Sequence, residues 1–319
     1  MDTVAGLLEG PRARGAFLLR SLLDPPWSLR IEDQAPLTVV AVVEGGAWIL
    51  PAGPDAAWTA IGPGDVALVR GPEPYLVADD PSTPPQVVIH PGQRCTTLDG
   101  EDLALAMRLG VRSWGNAADA GTVMLTGTYQ QPGEVSGRLV AALPPLAVVR
   151  ASEWRSPLVA LLRDEIVRDG EGQGAVLDRL LDLLLVAVLR EWFARPEAEA
   201  PGWYRAQADP VVGPALRLLQ ADPARAWTVE ALAHEVGMSR AGLARRFSET
   251  VGEAPMAFLT GWRLALAADL LCEPGSTIAS VAERVGYGSP FALSAAFKRV
   301  RGISPQEHRA RVAAAPIAV

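Results

Sequence analysis

Cysteine is nearly absent, with Cys95 and Cys272 the two in 319 residues. A disulfide framework is therefore excluded, and a reducing compartment is expected. Histidine is nearly as scarce, with three in the chain, and only His90 falls in the N-terminal half. A three-histidine metal centre cannot be assembled there, so no metal and no cofactor are expected. Long uncharged apolar runs are missing too. The most apolar stretch, Leu177 to Phe193, is broken by Asp178, Arg179, Asp182, Arg190 and Glu191. A membrane span needs about 20 nearly uncharged residues, so no membrane partner is expected. Met1-Asp2-Thr3 does not open a basic segment followed by an apolar one. No secretory leader is expected, and the cytoplasm is the expected location. Lysine occurs once, at Lys298; the other basic residues are arginine.

What the chain does hold is apolar material, 49% of its residues, enough for two cores. Its length also fits two domains at about 150 residues each. The net charge of −7 argues against nucleic acid only while it is averaged over the chain. From Pro210 onward there are 12 Arg/Lys and 9 Asp/Glu, a net of +3, and the remainder carries −10. A basic balance confined to one end is the footprint of a nucleic-acid-binding part.

Residues 1–150 read as β-rich. Apolar runs at Leu37–Val43, Val66–Val69, Gln86–Ile89 and Thr122–Thr128 are separated by Gly and Pro turns such as Gly62-Pro63-Gly64-Asp65. That spacing predicts a sandwich or barrel. After Leu143-Pro144-Pro145 the pattern becomes helical, with helices expected over Ser156–Asp169 and Ala175–Phe193 in a connector spanning 151–195. In the second of these, Leu177, Leu181, Leu184 and Val188 form one stripe. Either the stripe is buried on its own sheet, or it is the seam of a homodimer; the dimer is the expectation carried forward. Residues 196–209, with Pro196, Pro201 and Gly202, read as a linker, and 210–319 as an all-helical domain. The fold class is α+β.

The helical domain contains a repeat. Thr228-Val-Glu-Ala-Leu-Ala-His-Glu-Val-Gly-Met-Ser239 and Thr277-Ile-Ala-Ser-Val-Ala-Glu-Arg-Val-Gly-Tyr-Gly-Ser289 are alike. Ala233 matches Ala282 and Gly237 matches Gly286 at an offset of 49. One residue then enters the second turn, and Ser239/Ser289, Phe247/Phe297, Gly252/Gly302 and Pro255/Pro305 match at an offset of 50. Each residue type has a task. The alanine lets two helices cross closely, the glycine ends the first helix at positive φ, and the serine caps the second. This is a helix-turn-helix, in which the second helix enters the major groove of double-stranded DNA. Between the units, Ala257–Leu271 reads as a continuous apolar helix that fixes their separation. One turn of DNA, about 34 Å, is the separation such a pair would span.

On these residues the chain resembles the AraC/XylS-type regulators, most specifically at Gly286-Tyr287, Phe297-Lys298 and Gly302-Ile303-Ser304-Pro305. The stretch Gly64-Asp65 to Pro74-Tyr75 is similar to the second half-motif of a cupin barrel. The resemblance implies a cupin-like sensor ahead of the DNA-binding part, promoter binding and control by a small-molecule effector. It also implies activation, hence contact with RNA polymerase.

The recognition helices are expected at Arg240–Glu249 and Pro290–Arg299. Arg245 stands where family members place a base reader, and arginine grips guanine O6 and N7. Arg240 and Arg246 suit phosphates, which set register without reading sequence. Ala241 and Ala244 occupy two further reader positions. In the second unit the positions where family members often place polar readers hold Pro290, Phe291, Ser294 and Ala295, of which only Ser294 carries a hydrogen-bonding side chain. Ser289, Lys298, Arg299 and Arg301 are expected at phosphates, and Ser239 at the equivalent place in the first unit. Base readout is therefore expected mainly from the first unit. In the β-rich half Trp27, Trp48 and Tyr75 are the candidate walls of an effector pocket.

Two other readings compete. A cupin enzyme fused to a DNA-binding tail would need metal ligands, and Glu44 with His90 alone do not supply them. A redox-responsive regulator would use Cys95, since Cys272, at the end of the apolar helix, is expected to be buried and inert.

Overall fold

The computed structural model describes residues 17–129, 140–195, 198, 200–273 and 275–314. The expectations placed on Met1-Asp2-Thr3 and on part of the 196–209 stretch lie outside them. The chain forms two compact units, one built from residues 17–129 and 143–195, the other from residues 200–314.

The first unit is a pair of stacked sheets. Its strands are β1 (Phe17–Leu23), β2 (Ser28–Ile31), β3 (Leu37–Glu44), β4 (Ala47–Leu50), β5 (Thr59–Ile61), β6 (Val66–Arg70), β7 (Tyr75–Ala78), β8 (Val87–Ile89), β9 (Cys95–Thr97), β10 (Arg108–Gly110), β11 (Ser113–Gly115), β12 (Thr122–Tyr129) and β13 (Leu146–Val149). One sheet runs β10-β11-β1-β12-β3-β6-β13, the other β5-β4-β7-β2-β8-β9. The pairing is antiparallel except at β1–β11 and β2–β8. Alternate residues of each strand point inward, and Leu29, Ile31, Val40, Val42, Ile49, Val69 and Val77 fill the space between the sheets.

The larger sheet is covered on its other face as well. For that reason β3 reads Leu-Thr-Val-Val-Ala-Val-Val without polar alternation and is buried along almost its whole length. The cover is α1 (Leu158–Ile166) and α2 (Gln173–Phe193), which pack on each other, on β3 and on β13. Here the reading of the stripe as a dimer seam is corrected. Leu177, Leu181, Leu184 and Val188 are each no more than 2% exposed, because the stripe lies on its own sheet. Leu181 sits on Gly127 of β12 so closely that a Cβ there would overlap both of its Cδ atoms. The large apolar residues that α2 leaves exposed are Val176 and Leu183.

The second unit is helical: α3 (Gly202–Arg205), α4 (Val212–Ala221), α5 (Val229–Glu235), α6 (Arg240–Val251), α7 (Pro255–Leu271), α8 (Ile278–Arg284), α9 (Pro290–Arg301) and α10 (Pro305–Ala314). The linker reading fails from residue 200 onward. Helix α3 packs on α6, Trp203 is buried, and Asp209 accepts from the amides of Val211 and Val212 at the start of α4, both at 2.9 Å. Helix α7 contacts α4, α6, α8 and α10, so it is apolar nearly all round rather than along one stripe. Phe258 lies edge-on to Phe247 at 5.9 Å and stacks on Trp262 at 6.3 Å, joining α7 to α6.

Candidate functional site

Both units of the repeat fold by the same local chemistry. Thr228 and Thr277 cap the first helix of each, accepting from Ala231 and Ser280. At the far end Gly237 and Gly286 adopt φ of 68° and 81°. The chain then turns back so that the amides of Met238 and Tyr287 donate to the carbonyls of Ala233 and Ala282, at 2.9 and 2.8 Å. That six-to-one hydrogen bond satisfies a carbonyl the helix itself leaves open. Ser239 and Ser289 next accept from the amides of Gly242 and Ala292, each at 3.1 Å, and start α6 and α9. Their hydroxyl oxygens are thus engaged as caps. Leu243 and Phe247 turn one face of α6 inward, and Leu293, Ala296 and Phe297 do so in α9.

The opposite faces differ. On α6 Arg245 is 80% exposed, with a single loose partner, Glu249 at 4.0 Å one turn on. Arg240 is exposed at the start of the same helix. Arg246 is held otherwise than expected: its Nε and Nη2 donate to Oδ2 of Asp209 at 3.1 and 2.9 Å. Burial pushes the Asp209 carboxyl up; the hydrogen bond from Arg246 and the amides of Val212 and Val211 more than reverse it and hold it low. Arg246 thereby clamps α6 to the segment before α4. The signal for this was Asp209, an acidic residue just ahead of an apolar helical run. Its reach to a residue 37 positions away needed the fold.

On α9 Lys298 and Arg299 are exposed, whereas Arg301 lies with its guanidinium 5.2 Å from the Phe297 ring centre. Ser294 donates its hydroxyl proton to the Pro290 carbonyl at 2.8 Å. Phe291 is 83% exposed on the first turn. Other arginines of this unit brace it: Arg263 donates to the carbonyls of Pro223 and Arg225, and Arg309 to those of Leu271 and Ser276. The positive balance read from the sequence is thus partly scaffold.

In the sheet unit the space between the sheets opens into a cavity of about 160 Å³. Tyr75 lines it; Trp27 and Trp48 do not. Trp27 is packed in the core. Trp48 alternates with the inward Ala47 and Ile49 and so faces outward. The polar lining is Ser21, Asp33, Tyr75, Gln93, Cys95, Thr126 and Thr128, with Trp114 and aliphatic side chains completing it. Asp33 had no sequence signal, because its place in the lining and its partner Gln93, 60 positions away, are set by the fold. Its carboxylate accepts from the Ala35 amide at 3.1 Å and the Gln93 side chain at 3.3 Å, and burial pushes its pKa up. Burial and the neighbouring Asp33 charge push the Tyr75 phenol up. The lining contains one acid and no Lys, Arg or His.

Burial likewise pushes the Cys95 thiol up, keeping it protonated, which is the wrong direction for a reactive cysteine. Cys272, expected to be buried, is exposed, its sulfur 3.4 Å from the Ala268 carbonyl. His90 bonds Thr96 Oγ1 at 2.9 Å, and Glu44 is exposed at the end of β3. Among the described residues no three His, Cys, Asp or Glu side chains group so as to hold a metal, and no helix is long and apolar enough to cross a membrane.

Residues 2–194 match the Cupin family and residues 232–311 the Helix-turn-helix domain family. The chain is 33% identical over 313 residues to a putative AraC-like transcription regulator of Streptomyces lividans, covering 97% of this chain and 98% of that one. It is 32% identical over the same length to another from Streptomyces antibioticus, with the same coverage. The regulator AlkR of Acinetobacter baylyi is 33% identical over 177 residues, 54% of this chain and 58% of its own. A cupin half, two helix-turn-helix units and likeness along nearly the whole length of such relatives place this chain in the AraC family of DNA-binding transcription regulators.

Proposed function

We propose that the protein reads promoter DNA unequally with its two units and does so under control of a small molecule held between its sheets. The observation that carries the first part is Arg245, projecting 80% exposed from the outward face of α6 while its neighbour Arg246 is tied to Asp209. A long cation free of a strong partner can form a bidentate pair with guanine. Lys298 and Arg299 of the second unit, with Arg240 of the first, neutralise phosphates. The cavity supports the second part: it opens between the sheets, with mostly apolar surface and a few converging polar groups. Its sole charged group is a carboxyl, so the effector is a neutral hydrogen-bond donor or a small amine, and an anion is disfavoured. Activation through RNA polymerase and binding as a homodimer belong to the same proposal, on family resemblance; the dimer would not use the Leu177–Val188 stripe.

Selection of bound duplexes from a random pool by the full chain tests this reading. The expected product is a site with one strongly specified half containing a guanine that Arg245→Ala no longer requires. Recovery of unrelated sequences would overturn it.

A further inference from the structure

We propose that Phe291 is a specificity residue of the second unit and reads the C5-methyl group of a thymine. The proposal rests on the reading that α9 enters the major groove. Phe291 lies on the first turn of α9, behind the Ser289 cap, the part of a recognition helix that meets base edges. Its ring is 83% exposed, while Leu293, Ala296 and Phe297 turn the other face of the helix inward. The exposed ring and the exposed methyl groups of Ala292 and Ala295 form a small apolar patch on the start of the helix, and covering it with an apolar group is favourable.

The repeat says what faces it. At the offset of 50 residues, Phe291 and Ala295 occupy the places of Ala241 and Arg245. The first unit thus presents a small residue and then a cation; the second presents a large apolar ring and then a small residue. A phenyl ring makes no hydrogen bond, and the apolar group on the major-groove edge is the thymine methyl. The surrounding groups favour the same contact. Pro290 has no N–H to offer, Ser294 commits its proton to the Pro290 carbonyl, and Ala292 and Ala295 are exposed methyl groups. Exposed Lys298 and Arg299 on later turns continue the surface toward phosphates.

The test uses the full chain and the selected duplex. Thymines of the second half-site are replaced one at a time by deoxyuridine, which removes only the methyl group. One replacement is expected to weaken wild-type binding about fourfold, the worth of burying one methyl-sized group. Phe291→Ala should bind the thymine duplex more weakly by a similar factor and no longer distinguish the two bases. Equal binding of both duplexes by the wild type, with the second half-site still protected from cleavage, overturns the proposal while leaving the groove reading intact. Absence of protection there, with Lys298→Ala changing neither affinity nor its salt dependence, shows instead that α9 stays off the DNA; the Phe291 assignment then falls with it.

Discussion

Arg245 and Arg246 are adjacent in sequence and opposite in environment, so replacing each by alanine should give different losses. Arg245 contributes little to the fold. Its partner Glu249 is 4.0 Å away and both side chains are mostly exposed. Such a pair is worth about 0.3–0.5 kcal/mol at most. Arg245→Ala should therefore unfold in urea within about 0.5 kcal/mol of wild type. On DNA it should lose the discrimination of a bidentate guanine contact, about 1–3 kcal/mol, or roughly 5- to 150-fold. That loss should be confined to one base pair: the variant binds the selected site and its substituted version alike. Arg246→Ala removes two hydrogen bonds to a carboxylate that also accepts from the amides at the start of α4. With the arginine 42% exposed, screening reduces the effect to about 1 kcal/mol of stability. Its affinity loss should be nearly the same for every sequence. Fluorescence anisotropy on the selected duplex and all its single-pair variants, at one salt concentration, separates the two patterns, and urea titration supplies the stabilities. If Arg245→Ala weakened all duplexes equally, the arginine would be a phosphate contact and the argument from exposure would be wrong. A changed base preference in Arg246→Ala would refute it from the other side.

Leu181→Ala should destabilise the sheet unit by about 2–5 kcal/mol, since Leu181 is buried against Gly127. Sedimentation velocity should show its self-association unchanged; loss of association at unchanged stability would restore the dimer reading of the stripe. Gly286→Ala should cost more than Gly237→Ala, although both residues have positive φ, because a Cβ at 286 would lie 2.7 Å from the Ala224 Cα while one at 237 meets nothing within 4 Å. The left-handed conformation alone costs about 1–2 kcal/mol, and urea titration of the two variants should differ by the steric part. Asp33 carries a raised pKa in the folded protein, so its charge opposes folding once pH rises from the unfolded value, about 4, through the folded one. Asp33→Asn should accordingly raise stability at pH 7, with the gain disappearing near pH 4. The same variant should lose the response to effector in a promoter reporter; a retained response would remove Asp33 from the binding site.

The repeat was determined by sequence alone. Thr, Ala, Gly, Ser, Phe and Pro each act within a few residues of themselves, through a cap, a positive φ or a close crossing, so their spacing is the structure. The runs of β3, β6 and β12 were equally plain, since a strand covered on both faces carries few charged residues and little polar alternation. Tertiary structure decided the rest, for a common reason: each question concerned which surface an apolar or charged residue meets. The Leu177–Val188 stripe has the same periodicity on its own sheet as against another chain, and only the packing on Gly127 tells them apart. Trp27, Trp48 and Tyr75 are alike in the sequence and fall in a core, on an outer face and in a cavity wall. Asp33 and Asp209 acquired their roles from groups far along the chain. Arg246 looked as available as Arg245 until Asp209, in a stretch read as linker, folded back to hold it.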